Sequence, residues 1–452
     1  MPIVILEFEF TLLLFLIFPG TGKSTTVVEI IAQLVLRLPD VSVQLSERDR
    51  ILVCASSNSA TDLLVEKLAP ILGSTEMLRL MSYQRDPTLV SKTVRPYCHH
   101  DGEGFTIPSA SKLLSYKVIV ATCAMAGKMY NAGIKKHSFG TVIVDEAGHP
   151  EETAVYQAIS WMLHPTGLLV LAGDPMQLGP VTYSDSALSV SILERLLASG
   201  IYTRNNEVHT TTGGYDPTCL TKLIYSYRCH PAILRVPNQL FYSNELVEVA
   251  WGDKLSQWDQ LPTRNFPVIF HGVNGTHARE SNSPSWFNVD EIEVLDKYLD
   301  ILLAKAPLLS IGLIAPYQKQ VSKIRQMVKM KKGSADNIKV GSCEQFQGCE
   351  CDIIIITTVR STTGLPEIGD NIHQLGFVSM PKRLNVAVTR AKSLLIIIGN
   401  PDVLTNDSNW KAMLDHCRAH NSCIGYGGFE NTPDEFDDFD FFPPDVDEPS
   451  EL

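Results

Sequence analysis

Three short strings in this chain carry residue types suited to handling a phosphate chain. The first is Ile17-Phe18-Pro19-Gly20-Thr21-Gly22-Lys23-Ser24. Gly20 and Gly22 let the backbone turn tightly, so main-chain N–H groups can converge on one concavity. Lys23 adds a point charge for phosphates, and Ser24 offers a hydroxyl to Mg²⁺. The full pattern G-x-x-x-x-G-K-[ST] asks for Gly at position 17, where this chain has Ile17. The second string is Val142-Ile143-Val144-Asp145-Glu146. A carboxylate at the end of a buried strand is costly unless it meets a cation. Asp145 is therefore placed to hold a metal, and Glu146 to activate water. The third, Leu169 to Leu178, repeats the design and ends in Gln177, an amide able to feel a terminal phosphate. Further on, Tyr227-Arg228 sets an aromatic face beside a guanidinium. Arg383 and Arg390 lie seven apart, on one face if the stretch is helical, and an Arg of that kind can reach a transferring phosphate.

These residues need a scaffold that brings strand ends together. Apolar runs at Ile51–Ala55, Val118–Ala121, Thr141–Val144 and Leu168–Ala172 read as short buried strands. A second set lies at Ile311–Ala315, Ile353–Thr358 and Leu394–Gly399. Such runs between helical stretches predict α/β architecture, with parallel sheets covered on both faces and ligands at the carboxyl ends of the strands. Thr25–Leu38 reads as the helix after the phosphate loop, and Thr11–Phe18 as the strand before it, too short to cross a membrane. Small hydroxyl and amide residues end two strands, Ser56 with Asn58 and Thr122; they suit a phosphate backbone or a helix cap.

Composition narrows the partners. The formal charge is −12, yet Glu430–Leu452 holds ten acids and no base, so the rest carries about −2. Bulk charge does not announce nucleic-acid binding, which must come from local sites. The ten cysteines are scattered, which favours free thiols in a reducing compartment, and Cys98-His99-His100 reads as an ordinary loop before a metal site.

In this order the strings resemble superfamily 1 helicases of the 5′-to-3′ class, the group of the nonsense-decay RNA helicase and the Mov-ten/Armitage silencing helicases. The likeness runs from about Pro19 to Pro401; Leu78-Arg79-Leu80, Lys222 to Pro231 and Gly376 to Lys392 are the Mov-ten-like parts. It implies two tandem RecA-like domains of the P-loop NTPase fold. The expected boundaries are 19–205 for the first, with an insertion at about 73–115; 206–216 for a linker; and 217–425 for the second. Residues 1–18 are expected to be an aberrant or truncated start, and 426–452 a disordered acidic tail.

The resemblance also implies roles. Gly20, Thr21, Gly22, Lys23, Ser24 and Thr25 would bind ATP, with Ser24 and Asp145 on Mg²⁺. Lys23, Asp145, Glu146, Gln177, Arg228 and Arg390 would be the catalytic set, Glu146 activating water and the two arginines acting as fingers. Tyr227, Gly348 and Glu350 would complete the nucleotide site. Ser56, Asn58, Thr122 and Thr358 would touch the nucleic-acid backbone. The implied partners are single-stranded or partly duplex RNA and silencing or RNA-decay proteins, with no membrane. The implied protein is a cytoplasmic monomer, RNA granules (P-bodies) included. Two alternatives are an impaired RNA-binding scaffold or fragment, for which Ile17 and the missing upstream adenine-reading segment are the motives, and a DNA helicase of the same superfamily.

Overall fold

A computed structural model describes residues 11–38, 45–182, 187–205, 207–209, 212, 214–249, 254–281, 283–331, 337–361 and 376–427. Residues 1–10, part of the expected 206–216 linker and the acidic tail from 428 lie outside the described residues. The described chain forms two compact units. One runs to Val249 and includes Phe346–Glu350 and Pro381–Lys392; the other holds the remainder from Lys254.

The first unit is built on a seven-stranded sheet. Its strands are β1 (Thr11–Ile17), β2 (Ile51–Ala55), β3 (Met77–Leu80), β4 (Val118–Thr122), β5 (Phe139–Asp145), β6 (Leu163–Gly173) and β7 (Leu220–Leu223). Their order is β3-β4-β2-β5-β6-β1-β7, and every pairing is parallel. Parallel strands share one carboxyl edge, so the segments leaving β1, β5 and β6 emerge side by side. The central strands are mostly apolar because both faces are covered. Helix α1 (Lys23–Val35) buries Val27, Val28, Ile31, Ala32 and Val35, the stripe expected of one helix face.

The structure departs from the sequence reading in two places here. Leu220–Leu223 does not open a second domain: it pairs with β1 as the edge strand of the first sheet. Its four residues, LTKL, are too short and too polar to declare which sheet they join. Within the expected insertion at 73–115, Met77–Leu80 is a fully buried core strand beside β4. It was hidden by Arg79, which has 0% exposure. That guanidinium is answered on every side: Nε donates to Asp62 Oδ1 (2.9 Å), Nη1 to the Leu80 carbonyl (2.6 Å) and Nη2 to Asn58 Oδ1 (2.9 Å). A buried charge so partnered is compatible with a core strand.

The second unit has a six-stranded sheet. Its strands are β8 (Val268–Gly272), β9 (Ile311–Ile314), β10 (Ile338–Gly341), β11 (Cys351–Thr357), β12 (Ala391–Gly399) and β13 (Cys423–Gly425). Their order is β10-β9-β11-β12-β8-β13. Helix Val289–Lys305 starts at Asn288, whose side chain caps it, and carries the wholly buried Glu291 in its first turn. Both Glu291 oxygens accept from the Val359 N–H at 2.9 Å. Val359 has φ 73°, a left-handed conformation that a β-branched side chain resists, so this hydrogen bond holds a strained turn in place.

Burial pushes the Glu291 carboxyl up to about 8 from an ordinary 4.5, against the opposing backbone hydrogen bonds. The folded state thus prefers the protonated acid, and its stability falls as pH rises from about 4.5 through about 8. Glu291→Gln should lose that dependence, gaining stability relative to wild type on the order of a few kcal/mol by the alkaline end of this range. Unfolding curves taken across it check this; parallel pH profiles for the two proteins would contradict it.

Candidate nucleotide site

β1 delivers the chain to a turn at Phe18–Gly22. Gly20 has φ 74° and Gly22 φ 85°, left-handed values that favour glycine. Ile17 does not intrude on the turn. Its side chain is 1% exposed and packs with Val27, Val28 and Ile31 beneath α1. The residue that departs from the phosphate-loop pattern is thus part of the strand's core face. Gly20 is gripped from behind: its carbonyl accepts from Tyr227 N (2.8 Å), and the Pro19 carbonyl from Ser226 Oγ (3.0 Å). A Cβ on Gly20 would meet Arg228 Cβ at 2.5 Å, whereas one on Gly22 would meet nothing within 4 Å. Thr21 donates its hydroxyl to the Phe18 carbonyl at 2.8 Å, stapling the turn. Gly22 caps α1, so Lys23, half-buried Ser24 and exposed Thr25 form its first turn, with free N–H groups facing the loop.

The acids arrive from β5. Asp145 is its last residue, and Glu146 follows with φ 56°, a strained turn at a strand end. Lys23 Nζ forms an ion pair with Glu146 Oε1 and lies 3.5 Å from Asp145 Oδ1. Burial raises the Asp145 carboxyl above its ordinary range despite Lys23. Burial also pushes Glu146 upward, but Lys23 outweighs it and holds Glu146 below its ordinary value. The ammonium of Lys23 is correspondingly raised, the two acids overcoming its desolvation.

Gln177 follows β6. Its Nε2 donates to Asp174 Oδ2 (2.9 Å) and its Oε1 accepts from Arg390 Nη2 (2.8 Å). Arg390 also donates to the Cys349 carbonyl (3.2 Å), while its buried Nε has no partner in the protein. Helix Pro381–Val388 ends before Arg390, so Arg383 and Arg390 do not share a helix face as their spacing predicted. The turn at Thr389 re-aims Arg390, whose Nη2 reaches Gln177. Arg228 donates to Glu350 (2.6 Å) and to the Thr389 carbonyl (3.3 Å); Glu350 also pairs with Lys392 (2.7 Å). Tyr227 is 57% exposed, an open aromatic face. Gly348, with φ 74°, turns the chain toward Glu350.

The nucleic-acid set is less uniform. Ser56 follows β2 half-buried, and Asn58 opens helix α2 (Asn58–Leu68) in an exposed position. With its Oδ1 bound by Arg79, the Asn58 amide keeps its N–H groups for donation. Thr122 caps the helix Cys123–Lys128 through a hydrogen bond from Met125 N (3.3 Å). Thr358 does not reach a surface: it is 1% exposed, its hydroxyl packed against Gly399. The left-handed Val359 turns the strand end inward there. Three residues of the site were not foreseen. Asp174 follows β6 as Asp145 ends β5, a signal in plain view, but Tyr242 and Asn385 carry none. Among the described residues no group of three or more His, Cys, Asp or Glu could hold a metal ion, and none of the ten cysteines forms a disulfide. Among them, too, no helix is long and apolar enough to cross a membrane.

A glycine turn capping a helix, a lysine between strand-end acids and an arginine on a strand-end amide, on parallel sheets, define a RecA-like P-loop class of protein. Two AAA-domain family profiles match in tandem, one over residues 14–102 and 106–185 and the other over 188–402. The chain is 41% identical over 433 residues to mov-10-B.1 of Danio rerio, covering 90% of this chain and 41% of that protein. It is 41% identical over 420 residues to the RNA helicase Mov10l1 of Homo sapiens, covering 90% of this chain and 33% of that one. Regulator of nonsense transcripts 1 of Dictyostelium discoideum is more distant, 29% identical over 452 residues, covering 90% of this chain and 31% of that protein. The chain therefore belongs to the Mov10/Armitage family of AAA-domain helicases. It spans less than half the length of the curated relatives it matches.

The two loop glycines should not be equivalent. Alanine at either must hold a left-handed φ, but only Gly20→Ala also collides with Arg228 and Ser226. Gly20→Ala should cost about 1–3 kcal/mol more stability than Gly22→Ala. Urea denaturation of both variants reads the difference, and equal costs would argue against this packing of the loop.

Proposed function

We propose that this chain is an ATP-dependent RNA helicase or translocase. The observation that carries the reading is the gathering of Lys23, Asp145 and Glu146 with Gln177 and Arg390 at one sheet edge. A magnesium-bound triphosphate suits that donor set. The buried, unpartnered Arg390 Nε lacks an acceptor, and the open space over Gly22 would admit one. Ser24 and Asp145 would hold Mg²⁺, which when bound would offset the triphosphate's charge.

The chain's own groups would do the rest. Lys23, now paired with two carboxylates, would transfer its ammonium to the terminal phosphates. Glu146, kept ionised, would orient the attacking water and accept its proton. Gln177 and Arg390 would bear on the terminal phosphoryl group, and Arg228 would add positive charge beside it. Tyr227 would offer its exposed ring to the adenine. Ser56, Asn58 and Thr122 would hold the RNA backbone, and a protein of this family would work on RNA in cytoplasmic silencing or turnover.

Ile17, one of the motives for the impaired-scaffold alternative, is a core residue of β1 and does not support that alternative. The test is RNA-stimulated ATP hydrolysis by the full chain. Wild type should hydrolyse ATP faster with single-stranded RNA, and Lys23→Ala or Glu146→Gln should lower the rate by at least about a hundredfold. Equal rates in wild type and both variants would overturn the reading, and stimulation by DNA alone would redirect it to a DNA helicase.

A further inference from the structure

Neither Tyr242 nor Asn385 is assigned a role from the sequence, yet they stand directly behind Gln177 and Arg390. Tyr242 follows the helix Pro231–Phe241 and is almost wholly buried, its ring centroid 4.7 Å from that of Phe18 at the entry to the phosphate loop. Its hydroxyl donates to Asp174 Oδ2 at 2.8 Å. The same carboxylate accepts from Gln177 Nε2 and from Met176 N, both at 2.9 Å. Three donors around a buried carboxylate favour its charged form. Burial works against them and raises Asp174 to about 6, which still leaves it ionised at neutral pH.

Proton bookkeeping then fixes the neighbours. A tyrosine hydroxyl has one hydrogen, and Tyr242 gives it to Asp174, so toward Asn385 it must accept. Asn385 Nδ2 supplies that hydrogen bond at 2.6 Å and another to the Met176 carbonyl at 2.8 Å. The backbone carbonyl of Asn385 accepts from Thr389 N (3.1 Å) and Thr389 Oγ1 (2.7 Å), immediately before Arg390. Arg390 closes the circuit on Gln177 Oε1 at 2.8 Å. Gln177, Asp174, Tyr242 and Asn385 thus form one hydrogen-bonded chain, and the backbone from Asn385 through Thr389 closes it into a ring at Arg390. The ring permits a single orientation of the Gln177 amide, nitrogen to Asp174 and oxygen to Arg390.

We propose that Asp174, Tyr242 and Asn385 are positioning residues that hold Gln177 and Arg390 against the terminal phosphate, so that the site tells a nucleoside triphosphate from a diphosphate. This rests on the nucleotide-site reading above. A polar network that merely stabilised the core would support both nucleotides alike. The ring makes a different demand, because only the third phosphate would meet Gln177 and Arg390.

The test is equilibrium binding of AMP-PNP and ADP, each with Mg²⁺, to the full chain as wild type, Tyr242→Phe, Gln177→Ala and the double variant. Tyr242→Phe keeps the ring packing and removes the hydroxyl. It should lower the preference for AMP-PNP over ADP by at least about fivefold, the worth of roughly one hydrogen bond, with ADP affinity nearly unchanged. In the Gln177→Ala background it should lower the preference no further. Asn385→Ala should reproduce the loss from the other side of the ring should Tyr242→Phe fold poorly. An unchanged preference, equal weakening of both nucleotides, or the same drop without Gln177 would overturn the inference and leave the nucleotide-site reading standing. A wild type that does not distinguish the two nucleotides would overturn both.

Discussion

Charge taken out of water must be answered within hydrogen-bond reach, and the first unit is arranged around that constraint. Asp145 and Glu146 sit where a buried strand ends, and Lys23 answers them. Asp174 is answered by Gln177, Tyr242 and a backbone N–H. Arg390 is answered by Gln177 and a carbonyl, with its Nε left without an acceptor. Every one of these groups would be costly alone. Together they are compensated, yet loosely enough that a polyanion could take over Lys23 and Arg390. On the proposed reading, a site that is neutralised by its own residues and could trade them for phosphate would be poised for binding and release.

The fold supplies the geometry for this. With β1, β6 and β5 adjacent and parallel, their carboxyl ends present the phosphate loop, Gln177 and the acids on one edge. The cost is left-handed backbone at Gly20, Gly22 and Glu146. Glycine removes that cost at the loop, while Glu146 bears it at the acid, as strained residues at functional sites commonly do. The second unit repeats the habit, with Val359 held left-handed by the buried Glu291.

Much of this is legible in the sequence where short-range chemistry decides. The apolar runs became strands within a few residues of their expected ends, and Pro19 to Ser24 formed the turn that its glycines require. Legibility failed where a distant partner decides. Met77–Leu80 contains an arginine, and only Asp62 and Asn58, far off in sequence, make it a core strand. Leu220–Leu223 joins the first sheet because β1 has a free edge. Thr358 looked like a strand-end hydroxyl and is turned inward by its neighbour. Ile17 looked like a flaw in a motif and is a core residue of the strand before it. Tyr242 contributes a hydroxyl whose importance exists only once the chain has folded.

The central claim is that Lys23 is a phosphate ligand which its own acids hold in reserve. Calorimetric titration of MgATP into wild type, Lys23→Ala and Glu146→Gln tests it most directly. Lys23→Ala should weaken binding by at least about tenfold, or about 1.4 kcal/mol, and Glu146→Gln, which frees the ammonium, should bind at least as tightly as wild type. Undiminished binding by Lys23→Ala would contradict the account.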